Sequence, residues 1–199
     1  MTTREDVVLG AITTGGIETL ELEWRLGKHG PRGFQPGIGE DAWMKLWNAL
    51  NATGKRCLDS KVTERVISGT KLVTSREGGA WWKHKTKLFD FEDPPFLRIS
   101  GSTENVQSIP TGTPLPGAEA GGFSRYKERR SYQHECWSID LTRVSTSTDI
   151  DCDTWTYEVE IELMDKEQLF IRPIENMLQW GNEVARDMLQ LAGVVGTKM

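Results

Sequence analysis

Two segments near opposite ends of the chain alternate carboxylates with apolar residues at a period of two. They are Leu20-Glu21-Leu22-Glu23-Trp24-Arg25-Leu26 and Trp155-Thr156-Tyr157-Glu158-Val159-Glu160-Ile161-Glu162-Leu163. In an extended strand, successive side chains point to opposite faces. Glu21, Glu23 and Arg25 therefore share one face, as do Glu158, Glu160 and Glu162. Carboxylates stacked on one face repel, and a cation or an array of basic groups must offset that cost. If the two strands meet, five carboxylates converge, and a hard divalent metal is their natural neutraliser.

The period of two continues through the middle of the chain. Strands are predicted over Val62 to Ile67, Lys71 to Ser75, Ala80 to Phe91, Leu97 to Val106, and residues 125–132, 136–145 and 154–163. Gly78-Gly79 reads as a hairpin turn. Lys83, Lys85 and Lys87 share a face. So do Arg98, Ser100, Ser102 and Glu104, and so do Arg125, Lys127, Arg129 and Ser131. Helical periodicity is confined to two clear segments. Over residues 39–52, Trp43, Leu46, Trp47 and Leu50 form an apolar stripe, with Glu40 and Asp41 in the first turn. After Pro173 a helix is expected to about Ala192, burying Ile174, Met177, Leu178, Gly181, Val184, Met188 and Leu191. Residues 3–13 read as a short helix or an irregular arm. Residues 108–124, rich in Pro and Gly, form a long loop inside what reads as a single domain spanning 1–199. Residues 146–153 read as a polar turn. Strands do not alternate with helices, so a doubly wound parallel sheet is excluded in favour of an α+β antiparallel architecture.

Two arrangements satisfy so many half-charged strands. One is a half-buried sheet whose charged face meets water. The other is a closed barrel with a charged lumen and an apolar outer wall covered by helices, which also removes the unpaired edges. Segregation of sign favours the barrel: some strands present acids only, another presents bases. An acidic floor with basic walls suits a metal bridged to a polyphosphate.

Composition narrows the function classes. With 199 residues, 37% hydrophobic and 27% charged, the chain can bury a sizeable core. The net charge of −5 argues against nucleic-acid binding through bulk charge, though not against a local basic channel. Cys57, Cys136 and Cys152 are widely spaced, which fits a reducing compartment rather than a disulfide framework. No apolar run approaches the roughly 20 residues of a membrane helix, and the N-terminus has no secretory pattern. An intracellular protein with no membrane contact is expected.

Four motifs, in order along the chain, carry a family resemblance. They are Glu21-Leu-Glu-Trp-Arg25-Leu-Gly; Phe34-Gln-Pro-Gly-Ile38 before a helix; Arg125-Tyr-Lys127-Glu-Arg129 followed by Ser138-Ile-Asp140-Leu-Thr142; and Tyr157-Glu158-Val-Glu160-Ile-Glu162-Leu163. Together they resemble the metal-dependent RNA triphosphatases of the triphosphate tunnel metalloenzyme superfamily, the mRNA-capping enzymes of fungi, protozoa and some large DNA viruses. The resemblance implies an eight-stranded antiparallel tunnel that removes the γ-phosphate from the 5′-triphosphate end of RNA, with Mg²⁺ or Mn²⁺ as cofactor. It implies metal ligation by Glu21, Glu23, Glu160 and Glu162. It gives a water-positioning role to Glu158, phosphate gripping to Lys127 and Arg129 beside Arg25, and an orienting role to Asp140 and Thr142. Lys85, Lys87, Arg98 and Arg125 are further candidates for substrate binding. At Ser138 some relatives carry an arginine, so one phosphate contact is lost or supplied elsewhere. The resemblance also implies a nuclear site of action or another site of mRNA capping, a guanylyltransferase partner, and a monomer or homodimer.

Residue chemistry supports that picture and leaves alternatives. His29, His84 and His134 are poor candidates for a hard-metal site, which prefers oxygen. There is no Cys-x5-Arg loop for a phosphocysteine route. The tryptophans suit an apolar jacket, with Trp81 and Trp82 placed to sit at a rim. Removing Glu21 or Glu160 is expected to relieve repulsion and leave the melting temperature unchanged or raised. A tripolyphosphatase or thiamine triphosphatase of the same superfamily shares the glutamates. A non-catalytic polyphosphate- or RNA-end-binding module is the alternative of a different class.

Overall fold

Alternation of apolar and charged side chains drives closure. In the computed structural model, which describes residues 2–55, 57–93, 95–117, 123–146 and 155–194, eight antiparallel strands form a ring. They are β1 (Leu20–Gly30), β3 (Cys57–Ile67), β4 (Thr70–Ser75), β5 (Ala80–Asp93), β6 (Leu97–Ser108), β7 (Ser124–His134), β8 (Trp137–Ser145) and β9 (Thr156–Leu163). The strand order is β1-β6-β5-β4-β3-β7-β8-β9, and pairing of β1 with β9 closes the barrel. That closing ladder sets Glu23 opposite Glu162 and Arg25 opposite Glu160. The two acidic segments, distant in sequence, thus lie side by side.

A ninth short strand, β2 (Gly33–Pro36), pairs among the described residues only with the far end of β1. No strand is predicted over this stretch from the sequence. Its four residues carry too little alternation to announce a strand. The Gly78-Gly79 turn joins β4 to β5, with the Ser75 amide donating to the Gly79 carbonyl at 2.7 Å. In β5 the register slips between Lys87 and Phe89. The bulge turns Phe89 to the apolar outer side, where it is buried. Residues 147–154, which include most of the expected polar turn, lie outside the described residues, as do 118–122 of the long loop.

Helices jacket the outer wall. The N-terminal helix α1 (Arg4–Gly15) opens with a capping box: the Asp6 amide donates to Thr3 Oγ1 at 3.1 Å, and the Thr3 amide donates to Asp6 Oδ2 at 2.8 Å. Helix α2 (Glu40–Ala52) buries Trp43, Leu46 and Leu50. A one-turn helix α3 (Gln168–Ile171), too short for a periodic signal, precedes α4 (Ile174–Leu191). Ile174, Met177, Leu178, Gly181, Val184 and Met188 are buried as expected. Leu191 is 46% exposed, because the buried stripe runs through Met188 and Ala192 and leaves it to one side. No described helix is long and apolar enough to cross a membrane.

The core lies between this jacket and the barrel. Leu20, Leu22, Trp24 and Leu26 project outward from β1, and Trp137, Ile139, Leu141, Val159, Ile161 and Leu163 from β8 and β9; all are nearly fully buried. Trp24 packs edge-on against Trp137 at 5.1 Å, and its indole N–H donates to Asn182 Oδ1 on α4 at 2.8 Å. Helix α4 approaches this closely because residue 181 is glycine. A Cβ there would stand 2.3 Å from the Trp24 ring. We expect Gly181→Ala to destabilise the fold by about 1–3 kcal/mol, as overpacking does. A thermal melt checks this, with a lowered melting temperature as the expected outcome.

Candidate active site

The inward faces of the strands carry the charges the core cannot accept. Glu21 and Glu23 come from β1, Glu158, Glu160 and Glu162 from β9, Asp140 and Thr142 from β8, and Arg125, Lys127 and Arg129 from β7. Register aligns them: Asp140 lies opposite Glu160, Thr142 opposite Glu158, Arg129 opposite Thr142. They surround a tunnel cavity of about 230 Å³ lined by Glu21, Arg25, Lys85, Lys127, Arg129, Glu160 and Glu162, among others. Glu23, Asp140 and Glu158 are buried just behind, each at 5% exposure or less.

Opposite charges interlock. Glu160 receives Arg25 Nη2 at 2.7 Å and Arg129 Nη2 at 2.8 Å. Arg129 also spans Asp140 Oδ2 at 2.8 Å and Thr142 Oγ1 at 3.1 Å. Arg25 donates through Nη2 to Glu23 Oε2 at 3.3 Å; its Nε lies 3.0 Å from Glu23 Oε1 but out of line for a hydrogen bond. Lys85 reaches Glu21 at 2.9 Å and Glu23 at 3.5 Å. Ser100 donates to Glu23 at 2.8 Å and Ser102 to Glu21 at 3.5 Å. Arg125 pairs with Glu158 at 2.7 Å. Ser138 donates to Asp140 Oδ1 at 2.6 Å, so it steadies the acid that orients Arg129.

These contacts divide the carboxylates into two kinds. Burial alone would raise the Glu160 carboxyl, but Arg25, Arg129 and Lys127 outweigh it and hold the group well below the usual carboxylate range. Glu162 has no ion pair among the described residues. Burial first, then the Glu21 and Asp140 carboxylates, push it up to about 7. Burial opposes the charge on Lys85, yet Glu23 and Glu21 raise its pKa. For Lys127 burial wins over Glu64 and Glu160, and its pKa is lowered. Glu64 is itself lowered, because Lys127 and Lys71 outweigh its burial.

Two expected site residues stand apart from the others, and one expectation needs correction. Lys87 and Arg98 do not line the tunnel cavity. Both turn to Asp90 at one end of the barrel: Lys87 pairs with it, its side chain 63% exposed, and Arg98 Nε stands 3.7 Å from it while the guanidinium covers the Phe34 ring at 4.8 Å. The β5 bulge beyond Lys87 brings Asp90 within their reach. The expectation that losing Glu160 relieves repulsion fails, since its neighbours are two guanidinium groups.

The structure adds lumen residues that the motifs did not announce. Glu64 on β3 accepts from Lys127 at 2.9 Å and lies 3.8 Å from Lys71. Glu104 on β6 pairs with Lys83 at 2.8 Å. On β3 the inward set Val62, Glu64, Val66 mixes apolar and acidic residues, so alternation alone hid it. The histidines stand elsewhere, His29 for example at the Leu97 carbonyl. A larger cleft of about 470 Å³ lies outside the barrel beside α2, between Trp43, Trp47 and Arg130. Its Arg130 is already bound by both oxygens of Asp59, at 2.7 and 3.0 Å.

Among the described residues, no three acids, histidines or cysteines are drawn tightly enough to ligate one ion. The donor set nevertheless suits a hard cation. It is all oxygen, and Glu162 is a half-buried carboxylate whose ionisation is opposed by its acidic neighbours, a cost that a cation there would relieve.

Comparison with known proteins agrees with this geometry. The family model described as "mRNA capping enzyme, beta chain" matches residues 93–184. A 5′RNA triphosphatase of Paramecium bursaria Chlorella virus 1 is 26% identical over 182 residues, covering 89% of this chain and 92% of the viral protein. Among solved structures, the S. pombe Pct1 RNA triphosphatase superposes with a TM-score of 0.70 at 18% identity, covering 92% of this chain and 90% of that one. The Mimivirus capping enzyme triphosphatase superposes at 0.63 with 15% identity, covering 94% and 96%. Pct1 has also been solved in complex with the Spt5 CTD. The barrel is thus the triphosphate-tunnel fold, and the sequence likenesses point to the same capping triphosphatases that the four motifs resemble.

Proposed function

We propose that this chain, a protein of the triphosphate-tunnel fold, is a polynucleotide 5′-phosphatase that takes the γ-phosphate from triphosphate-ended RNA in the first step of mRNA capping. The observation that carries the reading is the closed lumen itself. Acids from β1 and β9 face bases from β5 and β7 around one cavity that has room for a polyanion.

Phosphoryl transfer to water needs charge neutralisation and an in-line nucleophile. Lys127 and Arg129, two residues apart on one strand face, both reach a single polyphosphate chain. Arg25 and Lys85 supply further positive charge, and Arg125 adds to it beside Glu158. Asp140 and Thr142 hold the Arg129 fork in plane. Glu158, fixed by Arg125, is the candidate for orienting the attacking water. The water oxygen bonds to the γ-phosphorus as the bond to the β–γ bridging oxygen breaks, giving orthophosphate and a diphosphate end, and the water's proton leaves to the phosphate oxygens and solvent. Glu21, Glu23 and Glu162, with Glu160 beside them, would hold a divalent cation, Mg²⁺ or Mn²⁺. When bound, it would polarise the γ-phosphoryl oxygens as a Lewis acid.

Arg129→Lys keeps the charge but loses the planar fork that spans Asp140, Thr142 and Glu160. A roughly ten- to hundred-fold fall in kcat/KM is expected from steady-state phosphate release. Lys127→Ala should cost about 2–4 kcal/mol of transition-state stabilisation, as the loss of other preorganised electrostatic contacts does.

The same tunnel is expected to accept tripolyphosphate and nucleoside triphosphates with manganese. Competition tests the reading. Tripolyphosphate should inhibit hydrolysis of triphosphate-ended RNA competitively, and salt should weaken both. If tripolyphosphate fails to compete even at high concentration, RNA binds elsewhere and the site assignment is wrong. The site of action we propose is wherever nascent mRNA is capped, with a guanylyltransferase as the enzyme that next acts on the diphosphate end.

A further inference from the structure

The two mouths of the tunnel differ in chemistry, and the difference assigns the direction in which RNA enters. Inward-facing residues recur every second position, about 7 Å apart along a strand. One step beyond Lys127 and Glu160 lie Arg125 and Glu158, and on the same side Lys87 and Arg98 share Asp90. Cations at that mouth are already matched to acids. One step the other way, beyond Lys83, Arg129 and Asp140, lie Trp81, Ser131 and Ser138, and every one is uncharged. Trp81 is the one aromatic side chain lining the tunnel cavity among the described residues. It is half-buried, and its cross-strand neighbours are Val73 and Ser108, neither of which is charged.

A triphosphate-ended RNA joins a polyanion to a flat, uncharged base. The charged middle of the tunnel takes the first; the second needs an aromatic face and ribose partners. Resting on the function proposed above, we infer that the first nucleoside sits at the uncharged mouth with its base stacked on Trp81. Stacking of this kind tolerates any base, since each presents a π-face. Serine hydroxyls at the same rim can meet the ribose hydroxyls. Trp81 is therefore a specificity residue that separates nucleotide-bearing substrates from bare polyphosphate.

Steady-state kinetics with short triphosphate-ended RNA, and with tripolyphosphate as the inhibitor, tests this. Trp81→Ala is expected to raise KM for RNA roughly tenfold, the loss of one base–aromatic stack, while the Ki of tripolyphosphate stays within about twofold of wild type. Trp81→Phe should keep most of the affinity. Trp81→Leu, which keeps bulk without the π-face, should behave like the alanine variant and stands in for it if Trp81→Ala does not fold. Phe34→Ala, at the opposite mouth, should leave KM unchanged. The inference is overturned if KM does not move in Trp81→Ala and Trp81→Leu, if Ki rises in step with KM, or if Phe34→Ala gives the tenfold effect instead. Failure of the wild-type protein to release phosphate from RNA at all would be seen before any variant is made, and would count against the proposed function itself.

Discussion

Glu160→Ala is expected to abolish measurable phosphate release and to lower the melting temperature. Its carboxylate is the shared acceptor of Arg25 and Arg129, at 2.7 and 2.8 Å, and is 5% exposed. Removing it leaves two guanidinium groups deep in the lumen with one acid fewer between them. Breaking one side of a buried charge network costs about 3 kcal/mol or more. Here the lower end applies, because Arg25 keeps Glu23 and Arg129 keeps Asp140. The activity loss has a separate cause. Without Glu160 the Arg129 fork is free to swing, and the divalent-cation set loses an oxygen. Each such preorganised contact is worth about 10²–10³ in kcat. Calorimetry and a phosphate-release assay on the same preparation check both halves. Full activity with an unchanged melting temperature would show that Glu160 holds neither arginine nor cation.

The second large effect is expected at Glu162 and has the opposite sign. Its pKa is raised to about 7 in the folded protein, against an ordinary value of 4.5. An acid with a raised folded pKa binds its proton more tightly when folded, so ionisation works against the fold. Below pH 4.5 the carboxyl is protonated in both states and costs nothing. Stability then falls as pH rises from 4.5 to 7, and the full cost, about 3 kcal/mol by linkage, persists above 7. Glu162→Gln removes the titration. The variant should therefore melt higher than wild type at pH 8 and nearly level with it at pH 4.5. Mn²⁺ or Mg²⁺ should raise the wild-type melting temperature at pH 8 and do so less in Glu162→Gln. A variant that melts lower than wild type at pH 8 would contradict the assignment of Glu162 as the destabilised acid.

Much of this architecture is legible in the sequence because the barrel's two faces obey different physics. The outer face of β1, β8 and β9 must pack under helices and reads as Leu, Trp, Ile and Val. The inner face must hold charge and reads as Glu, Asp, Arg and Lys. A period of two separates the sets without any tertiary information, and the two acidic segments are seen to need each other because neither is tolerable alone. Legibility falls where faces mix. β3 carries Val62 and Val66 on the inward side of Glu64, so its acid was not recognised. On β5, Lys87 keeps phase with Lys83 and Lys85 opposite Ser102 but sits nearer the mouth, where the bulge that follows sets Asp90 beside it. Pairing of charge is a further property that spacing does not reveal. From the sequence, Glu160 and Glu162 are equivalent. In the barrel one lies between two arginines and the other faces carboxylates, and their pKa values move in opposite directions.

The most direct measurement is product analysis on RNA labelled at the γ-phosphate, incubated with the protein and Mn²⁺ or Mg²⁺. The account predicts labelled orthophosphate and RNA that retains a 5′-diphosphate, metal-dependent and lost in Glu160→Ala. Labelled pyrophosphate with a monophosphate end, or retention of the label on RNA bound but uncleaved, would contradict it.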